Sequence, residues 1–127
     1  MKQLIETLNA PKPTGPYSQG VKAGGFIFVS GQDGVHPDGS TAGESIGAQA
    51  AASLDNIKNI LAEKGAGLSD LVYVTCHLND LTEANVKAFN EVYAGYFADV
   101  EVKPARITVG SQLMETDVEI TAIACVD

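Results

Sequence analysis

The chain has 127 residues and a single arginine, Arg106. The other seven cations are lysines, and together the eight face sixteen Asp and Glu residues, giving a formal net charge of −8. No basic run occurs. Phosphate-backbone binding needs a positive surface, so nucleic acid and anionic membranes are not expected partners. The longest apolar stretches are far too short to cross a bilayer. Met1-Lys2-Gln3 leads into folded-looking sequence without an apolar signal core, and a cytoplasmic location is the expectation. Only two cysteines are present, Cys76 and Cys125, both in apolar, strand-like surroundings, where buried free thiols are expected. The two histidines, His36 and His77, lie far apart and lack metal-ligand spacing to the cysteines, so no metal site is expected. There is no G-x-S-x-G elbow. The glycines at 15, 20, 24, 25, 31 and 34 are followed by no Lys-Ser/Thr, which rules out a phosphate loop.

What remains is an apolar content of 45% in a length that suits one globular domain, residues 1–127. Gln3 to Leu8 reads as a short edge strand, followed by a turn-rich loop from Ala10 to Pro16. Tyr17 to Val21 fits a strand and Ala23-Gly24-Gly25 a tight turn. Phe26 to Ser30 is β-branched and aromatic, a strong strand signal stopped by Gly31. His36-Pro37-Asp38-Gly39 reads as a turn. Ile46, Ala50, Leu54, Ile57 and Leu61 recur at helical spacing, with Glu44 near the start, Lys64 near the end and Gly65 placed for a left-handed cap. Leu68 to Leu78 reads as a strand with Val72, Val74, Cys76 and Leu78 on one face. Asp80-Leu81-Thr82-Glu83 resembles an Asp-led capping box opening a second helix with the stripe Val86, Phe89, Tyr93 and Tyr96 or Phe97. Lys103-Pro104 breaks the chain before the Arg106 strand. From Asp117 onward, Val118, Ile120, Ala122, Ala124 and Val126 alternate onto one face. These elements define an α+β domain, with two helices on one face of a mostly antiparallel or mixed sheet.

Two charges sit inside strands. Ala105, Ile107 and Val109 share one face, and Arg106, Thr108 and Gly110 the other. Glu119 lies between Val118 and Ile120, which point away from it. If the last two strands pair as a hairpin with Gly110 opposite Asp117, then Arg106, Thr108, Glu119 and Thr121 form one polar patch. The pair is then either a plain internal ion pair or a site. In the second reading the guanidinium fork grips a substrate carboxylate through two parallel hydrogen bonds, and Glu119 holds or activates a water. Ser30-Gly31-Gln32 at a strand end could also offer backbone N–H groups to an anion. The residue pattern leaves these readings open.

Six segments, in order, resemble the RidA (YjgF) family. They are Gly15-Pro16-Tyr17-Ser18-Gln19-Gly20, Val29-Ser30-Gly31-Gln32, Leu54-Asp55-Asn56-Ile57, Phe89-Asn90-Glu91-Val92-Tyr93, Pro104-Ala105-Arg106 and Val118 to Ala124. Each motif is weak alone, but their order and spacing cover nearly the whole chain. The resemblance implies a chorismate-mutase-like α+β fold, a homotrimer and ligand sites in clefts between subunits. It also implies cofactor-independent hydrolysis of 2-imino acids or their enamine tautomers, such as 2-iminobutanoate and 2-iminopropanoate, to 2-keto acids and ammonia. Such intermediates arise from pyridoxal-phosphate-dependent dehydratases acting on serine or threonine. Carried over by residue, Arg106 and Glu119 are the catalytic pair. Arg106 binds the carboxylate with help from Ser30 and Gly31, and Glu119 polarises the attacking water. Tyr17 walls the site, while Asn90 and Thr108 belong to its polar lining.

The chain departs from the family pattern where Thr108 replaces a common Cys, Lys103 a common aromatic, and Asp33-Gly34 a common apolar-Pro pair. All three lie around the expected cleft and leave Arg106 and Glu119 in place. A second class of function stays open: a trimeric module that binds small carboxylates or keto acids without turnover. A carboxylate clamp serves either.

Overall fold

The computed structural model describes residues 1–126, and Asp127, the last residue of the expected 1–127 domain, lies outside them. Six strands form one mixed sheet: β1 (Lys2–Ile5), β2 (Gly20–Ala23), β3 (Phe26–Asp33), β4 (Leu71–Leu78), β5 (Ala105–Gly110) and β6 (Val118–Cys125). Their spatial order is β1-β2-β3-β6-β4-β5, with only β4 and β5 parallel. Helices α1 (Ile46–Ala62) and α2 (Glu83–Tyr96) cover one face. The expected architecture of two helices on one face of a mixed sheet is therefore observed.

The core is the layer between helices and sheet. Leu54, Ile57, Ile60 and Leu61 of α1 and Phe89 and Phe97 of the α2 region are fully buried against Ile27, Val74, Cys76, Leu78, Val118 and Ile120. Each such side chain contributes about 1.5–3 kcal/mol by leaving water. Strand alternation sends Val118, Ile120, Ala122 and Ala124 inward, as expected. The other sheet face is uncovered within the chain. Phe26, Phe28, Tyr73 and Ile107 are exposed large apolar side chains there, and Cys125 is exposed beside them. Cys76 is the buried free thiol that was expected, whereas Cys125 has no helix over its face to bury it.

Several boundaries differ from the expectation for identifiable reasons. The β3 strand does not stop at Gly31: it runs to Asp33 through an irregularity between Val29 and Gln32, a bulge that glycine tolerates. The Tyr17-to-Val21 strand begins only at Gly20, because Tyr17 lies in a turn whose backbone N–H bonds the Gly15 carbonyl at 2.9 Å. A single 3₁₀ turn over Leu68–Asp70 replaces the first part of the long fourth strand. A register shift between Leu71 and Tyr73 then buries Leu71 and leaves Val72 44% exposed, not inward with Val74. The α2 cap is Thr82 rather than Asp80. Its hydroxyl accepts from the Asn85 backbone N–H at 3.1 Å, while the Asp80 carbonyl takes the Asn85 side chain. Ser45 caps α1 in the same way through Ala48 at 3.1 Å, each cap being worth about 1 kcal/mol. Gly65 takes φ +68°, the left-handed end expected after α1.

The largest correction concerns the last two strands. They do not form a hairpin, because β4 lies between β5 and β6. Gly110 pairs with Leu78, not with Asp117.

Candidate functional site

Register assigns the faces. Arg106 is the cross-strand partner of Val74, and Thr108 that of Cys76, so both point to the helix-covered side. Glu119 is the partner of His77 on one side and of Asp33 on the other, all on the uncovered face. Arg106 and Glu119 therefore neither meet within one chain nor form an internal ion pair. The expected residues divide into two half-sites on opposite faces of the sheet.

The first half-site sits at the β5 edge, beside α2. The Arg106 guanidinium lies 4.7 Å from the centre of the Tyr93 ring and 5.8 Å from that of Phe89. Both rings are fixed by the apolar stripe of α2, and Tyr93 stacks on Phe97 at 4.5 Å between centroids. A cation over aromatic faces keeps its planar fork oriented while its N–H groups remain available at the edge. On α2 and the same face of β5, three buried polar atoms have no hydrogen-bond partner: Asn90 Oδ1, Tyr93 Oη and Thr108 Oγ1. A buried polar group without a partner costs roughly 1–3 kcal/mol, so such a cluster fits an incoming polar ligand. Asn90 and Thr108 share a shallow depression with Val86 and Lys87. Burial pushes the Tyr93 phenol up to about 12, which keeps it a neutral hydroxyl. It likewise pushes the Cys76 thiol beneath Thr108 up to about 12 against the pull of Arg106, which makes this thiol a poor nucleophile.

The second half-site is built on the bulge of β3. Tyr17, Gly31, Asp33 and Glu119 line one groove, together with the Gln112–Glu115 segment. A Cβ at Gly31 would fall on the Glu119 carboxylate, 2.9 Å from its Cδ, so any side chain there would displace that carboxylate. Ser30 lies in the same bulge, but its hydroxyl donates to the Ser18 carbonyl and its N–H to the Gln19 carbonyl at 2.9 Å. Ser30 thus anchors the Tyr17 loop. Gln19 completes the anchoring. Its Oε1 accepts from Thr7 N–H at 2.7 Å, and its Nε2 donates to Pro11 O at 2.9 Å and Ala10 O at 3.2 Å. Tyr17 is half exposed, with its hydroxyl near Thr14. The side chain of His77, beside Glu119, bonds the Ser111 hydroxyl at 2.7 Å through Nδ1. Burial, then a hydrogen bond and like charge from Glu119, push the Asp33 carboxyl up from 3.8 to about 6.

Three participants escaped the sequence reading. Tyr93 reads as pure apolar stripe, since nothing in its spacing signals that its hydroxyl ends beside Arg106. Gln19 has no local signature because its partners lie 8–12 residues away. Asp33 was visible as a departure from the family pattern, but its proximity to Glu119 depends on strand order. Among the described residues, no group of three or more His, Cys, Asp or Glu side chains is placed to hold a metal ion. No helix among them is long and apolar enough to cross a membrane.

A six-stranded mixed sheet with a bulged groove, two helices on one face and a cationic edge defines a class of small α+β domain with known relatives. Residues 7–126 match the family described as Endoribonuclease L-PSP, and the chain belongs to this family, which is the RidA (YjgF) family. A RutC family protein of Pyrococcus horikoshii is 46% identical over 127 residues, covering 98% of each chain. An Escherichia coli protein named "Putative reactive intermediate deaminase TdcF" is 37% identical over 127 residues, covering 98% of this chain and 97% of its own. The crystal structure of E. coli TdcF with bound serine superposes with a TM-score of 0.90 at 35% identity, covering 98% and 99% of the two chains. The crystal structure of yeast Mmf1 superposes with a TM-score of 0.91 at 36% identity over the full length of both.

Proposed function

We propose that the chain is a reactive-intermediate deaminase that hydrolyses 2-imino acids, or their enamine tautomers, to 2-keto acids and ammonia. The carrying observation is the guanidinium of Arg106 stacked over the Tyr93 ring on the strand face that also carries Thr108, whose buried hydroxyl, like Asn90 Oδ1, has no hydrogen-bond partner. That arrangement suits a small planar carboxylate bearing further polar atoms. The name of the E. coli relative and its serine-bound crystal structure support an α-substituted carboxylic acid as the ligand class. The favoured substrates are 2-iminobutanoate and 2-iminopropanoate, which carry a carboxylate directly beside the electrophilic carbon.

In this reading Arg106 fixes the carboxylate by its two parallel N–H bonds and thereby orients the imine carbon. Asn90, Thr108 and Tyr93 supply the remaining polar contacts. Glu119 accepts a proton from the attacking water, whose oxygen bonds the imine carbon, and Tyr17 walls the groove. The chemistry needs no cofactor, because a protonated imine is already electrophilic. Since the two half-sites lie on opposite faces of one sheet, the edge of one subunit must meet the groove of the next. The uncovered apolar face with Phe26, Phe28, Tyr73 and Ile107 supplies the surface for such an assembly, and a closed homotrimer completes three equal sites. A cytoplasmic location goes with this reading.

The serine in the TdcF crystal structure favours one second reading, a trimeric module that captures small carboxylates without turnover. A ribonuclease reading, which the family description suggests, suits a net charge of −8 poorly, because RNA binding draws on cationic contacts. The test is a coupled assay in which threonine dehydratase releases 2-iminobutanoate. Deaminase activity accelerates keto-acid and ammonia formation in proportion to added protein. Tight 2-ketobutanoate binding with no acceleration would establish the binding module instead.

A further inference from the structure

We propose that Asp33 and Glu119 form a one-proton carboxyl couple, in which Asp33 is a positioning residue that makes Glu119 both the base and the acid of hydrolysis. The proposal rests on the deaminase reading and extends it to a residue outside the clamp. Its basis is geometric. The two residues are direct cross-strand partners on β3 and β6, immediately past the bulge at Gly31, and both line the same groove. The space left by the missing Gly31 side chain is where the Glu119 carboxylate rests, beside β3. Two carboxyl groups held together cannot both ionise freely, and they relieve the repulsion by sharing a proton. Burial first, and then the Glu119 carboxylate beside it, raise the Asp33 carboxyl to about 6, in keeping with this.

Other charged groups near the couple are few. Lys12, Asp38 and Glu115 line the groove, with the Tyr17 phenol, and His77 is Glu119's partner on β4. His77 is bonded by Ser111. Lys12 is the one lysine of the groove, against the acids of the couple, Asp38 and Glu115. The local field therefore also favours retention of a shared proton.

A couple of this kind balances the reaction. The water O–H bond breaks as its oxygen bonds the imine carbon, and the proton passes to the couple. The couple returns that proton to nitrogen, giving the carbinolamine. In the second half the carbinolamine nitrogen is already an ammonium; its hydroxyl gives its proton to the couple as the C=O bond forms, and the departing ammonia carries that proton away as ammonium. The C–N bond breaks with its electron pair on nitrogen, and ammonia leaves. The couple ends as it began, so no further reactant is required. The working form is the unprotonated couple above the upper titration step, which takes one shared proton from water and passes it to nitrogen. Below that step the proton is already in place, so turnover falls on the acid side of about pH 6.

The experiment joins a direct titration to kinetics in the intact protein. Carbon-detected NMR of the Asp side-chain carboxyls should show Asp33 titrating near 6 in the wild type, and lower in Glu119→Gln. Rates of 2-iminobutanoate hydrolysis should show an acid limb with the same midpoint. In Asp33→Asn we expect kcat roughly tenfold lower, KM within about twofold, and the limb moved to lower pH. Asp33→Glu should regain most of the rate. The proposal is overturned if Asp33 titrates in the ordinary carboxylate range, or if Asp33→Asn keeps the wild-type rate and limb. A wild type that titrates near 6 yet hydrolyses nothing overturns the deaminase reading and leaves the shared proton standing.

Discussion

The two half-sites carry opposite charges and are made by opposite means. Arg106 stands on an edge strand and owes its orientation to packing: the Phe89 and Tyr93 rings beneath it belong to the core stripe of α2. Glu119 stands on a central strand, and its place depends on a backbone irregularity, the β3 bulge that puts Gly31 under its carboxylate. The Arg106 half is preformed but polar-hungry, with Asn90, Tyr93 and Thr108 each presenting an unpartnered atom. The Glu119 half is turned inward, with Asp33 opposite Glu119 across the strands and Ser30 and Gln19 consumed in holding the Tyr17 loop. In the proposed reaction the cationic edge binds and the acidic groove reacts.

Substitutions on the two sides should therefore fail differently. Glu119→Gln keeps shape and hydrogen bonding but cannot accept a proton, so the rate should fall by roughly 10²–10⁴ while 2-ketobutanoate still binds. Steady-state kinetics with calorimetric binding checks this, and equal losses in both would mean that Glu119 orients the ligand instead. Arg106→Lys retains charge and loses the fork. It should cost roughly 2–5 kcal/mol in kcat/KM and weaken keto-acid binding as well, with the fold intact by circular dichroism. Near-wild-type turnover by this variant would reject the clamp.

Two smaller effects sharpen the contrast through stability. The Thr108 hydroxyl is buried without a partner, so Thr108→Val should stabilise the ligand-free protein by about 1 kcal/mol in urea unfolding and loosen keto-acid binding. Asp33 titrates higher in the folded chain than the 3.8 of a free carboxyl, so its contribution to stability is present below about pH 4 and lost as pH rises through about 6. Asp33→Asn should accordingly stabilise the protein at pH 7 by about 1 kcal/mol, a figure reduced for its half-exposed setting, with the gain gone at pH 4. Urea midpoints at the two pH values, at one protein concentration, test the sign.

Strand periodicity made the inner face of β6, the α1 and α2 stripes and the unusual character of Arg106 and Glu119 legible in the sequence, since each is a local pattern of period two or 3.6. Which strands adjoin was not legible. A hairpin between the last two strands is the shortest connection, yet the 3₁₀ turn and β4 supply an apolar strand that inserts between them. That single non-local choice moved Arg106 and Glu119 from one patch to two faces. The bulges after Val29 and at Leu71–Tyr73 were hidden for the same reason, because an extra residue in one strand shows only against its partner.

On the proposed reading, one chain carries two complementary halves and no complete site. Mixing Arg106→Ala with Glu119→Gln subunits, after mild dissociation and reassembly, tests it most directly, with light scattering to confirm trimers. Each variant alone should be nearly inactive. An equal mixture should recover roughly a quarter of wild-type activity, the share of subunit seams at which one intact half meets another. No recovery in well-formed mixed trimers, or full activity from a wild-type monomer, would contradict the account.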